Sequence, residues 1–224
     1  MKRLKKALLI LLVIGILSYM YMQIAAKRQN NLYQGLVVVV DAGHGGKDGG
    51  AQFDGILEER LNLEIAKQVK EELESIGVQV RLTRDGHYDL ASKDATNRKQ
   101  EDLQQRIRLI NDNDVNLYIS IHLNAYPNTG VKGAQVFYKK QDQGSQQLAK
   151  EIQYCLRKEL DTKMKETTGD YYIIRNSEKT GVLVECGFLS NAIERELLQQ
   201  KDYQRRIAKS IVLGIRKYLY ILEV

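Results

Sequence analysis

A single proline stands in the 224 residues, so no Pro-rich linker divides the chain. Two cysteines are too few for a disulfide framework. Cys155 shares a helical pattern with Leu148, Ile152 and Leu156, and Cys186 follows an apolar run, so both are expected as buried free thiols. Residues 1–28 lack acid altogether and hold six bases: Lys2, Arg3, Lys5, Lys6, Lys27 and Arg28. The whole net charge of +6 sits there, because the other 28 Lys and Arg balance all 28 Asp and Glu. A neutral remainder lacks the basic surface of a nucleic-acid binder, so no nucleic-acid partner is expected. With 43% hydrophobic residues the chain is not disordered. Residues 29–224 have the length of one domain with a full core.

Ala7 to Ala26 is uncharged. As a helix it would reach about 30 Å, the thickness of a bilayer core. The strongly apolar stretch Ala7–Leu17 also reads as the centre of a signal peptide. Residues 1–28 are therefore expected to be a signal peptide or a membrane anchor. Four bases before the run against two after it place the domain outside the cytoplasmic membrane.

Beyond residue 30, apolar runs alternate with helical patterns and no repeat appears. Leu36–Val40 is a continuous run suited to a strand buried on both faces. Leu57, Leu61, Ile65, Val69 and Leu73 mark an amphipathic helix that stops near Gly77. Val78–Thr83 alternates like a strand, and Arg84–Asn97 is polar and predicts a loop. Leu103, Ile107 and Ile110 predict a second helix. Strands are expected at Leu117–Leu123, Ala134–Tyr138, Tyr171–Arg175 and Val182–Glu185, and helices over 145–160, Ile193–Leu198 and Tyr203–Leu222. This order predicts an α/β domain, a mostly parallel twisted sheet with helices on both faces. Ligands then bind at the carboxyl ends of the strands.

Those ends carry the chemistry. The first strand runs into Asp41-Ala-Gly-His44-Gly-Gly-Lys47-Asp48. A phosphate loop would need Ser or Thr after Lys47, and the dinucleotide spacing would need Gly where Asp48 stands, so the glycines are read as a sharp turn presenting His44. The third strand ends in His122-Leu-Asn124. A helix is expected to open with Leu57-Glu58-Glu59, and a buried strand runs into Glu185. An acid closing an apolar strand is costly unless paired or metal-associated. Two histidines and two glutamates thus converge from four segments. Two His and one carboxylate suit catalytic zinc, and a further unligated Glu suits proton transfer from water. His87 reads as solvated. Arg84, Arg98 and Arg106 read as ordinary surface residues or, alternatively, as groups that reach an anionic substrate.

Val-Val-Val-Val-Asp41-Ala-Gly-His44-Gly-Gly, Leu57-Glu58, Ser120-Ile-His122-Leu-Asn124-Ala and Val184-Glu185-Cys-Gly-Phe-Leu-Ser-Asn191 resemble the zinc-dependent N-acetylmuramoyl-L-alanine amidases of type 3. The likeness spans about residues 35–220 and is greatest to the germination-specific, CwlD-type group of spore formers. It implies Zn2+ as cofactor, His44, Glu58 and His122 as its ligands, and Glu185 as the catalytic residue. The neighbouring Glu59 raises the question of which glutamate is the ligand. Asp41, Asn124 and Arg106 are weaker candidates for binding substrate or supporting the ligands. The implied substrate is peptidoglycan of the spore cortex, with a muramic-acid deacetylase acting next. The competing expectations are a non-catalytic peptidoglycan-binding or regulatory module and a zinc carboxypeptidase on the stem peptide.

Overall fold

Val37–Val40 are almost entirely shielded from solvent, which is what a run of β-branched residues achieves only in a central strand. In the computed structural model, which describes residues 2–160 and 162–223, that run opens β1 (Val37–Ala42). The chain forms two units, divided between Gly35 and Leu36. The first is a helix, α1 (Lys2–Tyr33), along which Leu9–Leu12, Ile14, Leu17 and Met20–Met22 are exposed. No helix among the described residues is long and apolar enough to cross a membrane. The side chains of Ala7, Leu8 and residues 24–32 lie outside those described, so the uncharged run is covered in part.

The second unit follows in the order β2 (Gln52–Phe53), β3 (Ile56–Leu57), α2 (Glu58–Glu74), β4 (Gln79–Leu82), α3 (Arg98–Ile110), β5 (Leu117–Asn124), β6 (Gln135–Tyr138), α4 (Gln143–Glu159), β7 (Thr167–Thr168), α5 (Tyr172–Asn176), β8 (Thr180–Phe188), α6 (Ala192–Leu198) and α7 (Lys201–Glu223). Six strands form one sheet in the order β4-β1-β5-β8-β6-β7. β4, β1, β5 and β8 run parallel, while β6 lies antiparallel to β8 and carries β7 parallel to itself at the edge. The expected mostly parallel sheet is thus present. Helices α2, α4 and α7 pack together against it. On the other face, α3 and α5 meet, and Ile110 and Ile173 join Val37, Val39, Val115 and Tyr118 in a buried cluster.

The chain leaves β1 through α2 to β4 on one side, then crosses through α3 to β5 on the other. The strand order therefore reverses between β1 and β5, and it is beyond the carboxyl ends at such a reversal that α/β sheets bind ligands.

Two expectations are corrected. Tyr171–Arg175 is not a strand, because Tyr172–Asn176 forms α5. A run this short has no readable period, and a helical turn buries Ile173 and Ile174 beneath the sheet. Leu57 is not the first helical residue. It ends the hairpin β2–β3 and precedes α2 with extended backbone, φ −95° and ψ 134°. Both cysteines are free and buried.

Candidate active site

His44 stands just past the carboxyl end of β1 on a strained turn. Its φ is +61°, in the left-handed region that non-glycine residues seldom occupy. The backbone on either side holds it there. Gly43 N–H donates to Ile121 C=O at 3.0 Å, and Gly45 and Asp48 exchange two backbone bonds. Gly43 must lack a side chain, because a Cβ there would lie 2.3 Å from the His122 ring. The turn therefore packs on the second histidine, and the two rings meet edge-on with centroids 5.0 Å apart.

Glu58 stands between them in the first turn of α2. Its Oε1 lies 3.3 Å from His44 Nε2 and 3.1 Å from His122 Nδ1. The carboxylate is also fixed by the N–H groups of Leu123 and Ala51 and by Asn62 Nδ2. One donor atom from each of His44, Glu58 and His122 falls within 4.8 Å of the others. Glu59 points elsewhere. It bonds exposed His87 at 3.1 Å and lies 3.4 Å from Arg84 Nη1, so geometry selects Glu58 for the cluster.

The electrostatics favour a cation. Burial opposes charge on His44, yet the carboxylates of Asp48 and Glu58 outweigh it and raise the imidazole to about 9. Burial likewise opposes charge on Glu58, and the two histidines hold it well below the ordinary carboxylate range. Asp48, 3.0 Å from His44 Nδ1, is depressed chiefly by that imidazole. Two imidazoles and one carboxylate, with a second carboxylate behind one ring, fit a borderline metal such as zinc better than the all-oxygen preference of Mg2+ or Ca2+.

Glu185 lies beside this cluster, aligned with His122 across the β5–β8 ladder. It is 5% exposed. Burial, reinforced by the Glu58 charge and opposed by the histidines and Tyr171, raises it to about 7. Its Oε1 accepts from Tyr171 Oη at 3.3 Å, and its buried Oε2 has no partner among the described residues. A carboxyl group poised near neutrality with one unspent oxygen suits proton transfer.

The weaker candidates separate. Asp41 is buried beneath the turn, accepting from Ser120, Thr83 and Arg106. Arg106 is equally buried and donates to Asp102, Asp41 and the carbonyls of Ala42 and His44. Its guanidinium supports the His44 turn from below, with its donors engaged by these four partners. Arg84 is also buried, spent on the carbonyls of Ala42, Gly43, Glu59 and Gly86. Arg98 pairs with Asp89. Arg84 and Arg106 read as surface charges because neighbouring sequence is polar, but a glycine-rich turn exposes carbonyls that their long guanidinium side chains satisfy. Asn124 accepts from the N–H of Ala125, so its amide oxygen is used locally. Sequence reasoning missed Asp48 and Tyr171 as partners of the site. The i, i+4 spacing of His44 and Asp48 was the only signal for the first.

Residues 38–217 match the sequence profile described as N-acetylmuramoyl-L-alanine amidase. The chain is 42% identical over 189 residues to the germination-specific N-acetylmuramoyl-L-alanine amidase of Bacillus subtilis, covering 82% of this chain and 80% of that protein. The CwlD amidase of Clostridioides difficile, solved in complex with the GerS lipoprotein, superimposes with a TM-score of 0.80 at 37% identity, over 83% of this chain and 99% of that one. The catalytic domain of CwlV from Bacillus (Paenibacillus) polymyxa gives a TM-score of 0.72 at 30% identity, over 83% and 98%.

Proposed function

The chain belongs to the N-acetylmuramoyl-L-alanine amidase family, and from that premise we propose that it is a zinc-dependent peptidoglycan amidase serving the spore cortex. The observation that carries the zinc reading is the convergence of His44, Glu58 and His122 around a position whose electrostatics favour positive charge. These three residues would hold the ion. Zinc, when bound, supplies Lewis acidity toward the amide carbonyl and toward water.

The chain's own groups do the rest. Glu185 takes a proton from the attacking water and delivers it to the nitrogen that leaves. Water oxygen bonds to the lactyl carbonyl carbon, the C–N bond to L-alanine breaks, and a lactyl carboxyl group and a free α-amine result. A pKa near neutrality suits both halves of that transfer. Asp48 holds His44 by Nδ1, which leaves Nε2 facing Glu58 and the cluster.

The cortex role rests on likeness to the germination-specific relatives. There the freed lactyl carboxyl would await a muramic-acid deacetylase, whose product amine closes the lactam. Residues 1–28 act in this reading as the export signal or anchor that puts the domain outside the cytoplasmic membrane, as their flanking charges suggest.

Metal analysis of the purified domain with its His44→Ala and His122→Ala variants tests the zinc site. One zinc per chain is expected in the parent and little in either variant. Full occupancy in a variant would remove that histidine from the ligand set.

A further inference from the structure

Tyr171 enters the site from an element outside those that carry the other site residues. It follows the edge strand β7 and precedes α5, with extended backbone at φ −83° and ψ 149°. Its ring is gripped on two sides. Phe137 of β6 packs against it edge-on, centroids 5.2 Å apart. Gly169 passes so close that a Cβ there would lie 2.8 Å from two ring carbons. The ring is therefore fixed before any substrate arrives, and its hydroxyl points at Glu185 Oε1, 3.3 Å away. Burial, together with the Glu185 charge, pushes the phenol above its ordinary value, so it stays protonated and donates. Glu185 then has one oxygen engaged and one buried without a partner.

We propose that Tyr171 is a positioning residue of the amidase reaction, whose O–H engages Glu185 Oε1 and so assigns proton transfer to Oε2. Without that bond the carboxyl group would be free to rotate, and either oxygen would face the water. A donor to the charged form also favours the ionised state that must accept the proton. The assignment rests on Glu185 as the proton-transfer group proposed above.

Tyr171→Phe keeps the ring and its packing on Phe137 and removes only the hydroxyl. A hydrogen bond to a charged partner is worth a factor of about 10 to 100 in rate when it acts in the chemical step. We expect kcat on purified muropeptides to fall by about that factor, with KM and zinc affinity by chelator competition unchanged. Gly169→Ala displaces the ring through the added Cβ and should lower kcat in the same direction. An independent reading needs no turnover: the 13C carboxyl resonance of Glu185 in the metal-free protein at pH 8 should move in Tyr171→Phe. A kcat within twofold of the parent, or an unmoved resonance, overturns the proposal. Absence of cleavage by the parent protein would instead strike the proposed function, while the resonance would still report on the Tyr171–Glu185 bond.

Discussion

Replacing Glu185 by glutamine should stabilise the metal-free protein, and by an amount that depends on pH. The carboxyl group is buried at the end of β8 with one oxygen unpartnered, and it titrates near 7 against an ordinary value of 4.5. Between those two values the folded chain keeps a proton that the unfolded chain releases. Folding stability therefore falls as pH rises through that window and stays reduced above about 7. The separation converts to about 3 kcal/mol of cost at pH 8, vanishing below about pH 4.5. Little discount for solvent applies, because Glu185 is 5% exposed. Glutamine has the same shape and never ionises, so it resembles the protonated acid. Urea denaturation of parent and Glu185→Gln, both stripped of metal, checks this. The variant's advantage should grow by about 3 kcal/mol from pH 4.5 to pH 8. Titrating groups remote from Glu185 are common to both proteins and cancel, whereas His44, Glu58 and His122 couple to it electrostatically and shift with it. An advantage constant across pH, or a variant less stable at pH 8, would refute the idea that Glu185 is held uncharged at a cost in stability.

Other changes test the rest of the site. Glu58→Gln should abolish metal binding, whereas Glu59→Gln should keep it and cost about 1–3 kcal/mol of stability by weakening the hold on buried Arg84; the reverse pattern in chelator competition and melting would move the ligand to Glu59. Asp48→Asn should weaken metal affinity by roughly 10- to 100-fold through the slackened His44 ring, and unchanged affinity would make that contact incidental. Gly43→Ala should drive the His122 ring out of place, since the new Cβ would sit 2.3 Å from it, and a variant with parental metal affinity would contradict the packing described.

The parts of the fold that could be read in advance are those with a period. Val37–Val40 and Val182–Val184 announce central strands because only a sheet covered on both faces buries such runs. The four-residue spacing from Leu57 to Leu73 announces α2. The strand order reversal then explains why His44, His122 and Glu185, distant in sequence, meet at one edge. What escaped reading is tertiary in origin. The hairpin at 52–57 is two residues per strand, too short to show alternation. Ile173 and Ile174 are apolar in either a strand or a turn of helix, and only the space beneath β1 and β5 decides. Arg84 and Arg106 look like surface charges until the carbonyls of the His44 turn are in place. Tyr171 is invisible as a site residue because β6 and β7, which deliver it, join the sheet from its far edge.

Mass spectrometry of muropeptides after incubation with the zinc-loaded domain tests the central claim most directly. The account predicts glycans with free lactyl carboxylates together with peptides that begin at L-alanine, formed by the parent and not by Glu185→Gln. Released terminal D-alanine would make the enzyme a carboxypeptidase, and binding to peptidoglycan without any product would make it a non-catalytic module. Either result would contradict the assignment of His44, Glu58, His122 and Glu185 as the machinery of an amidase.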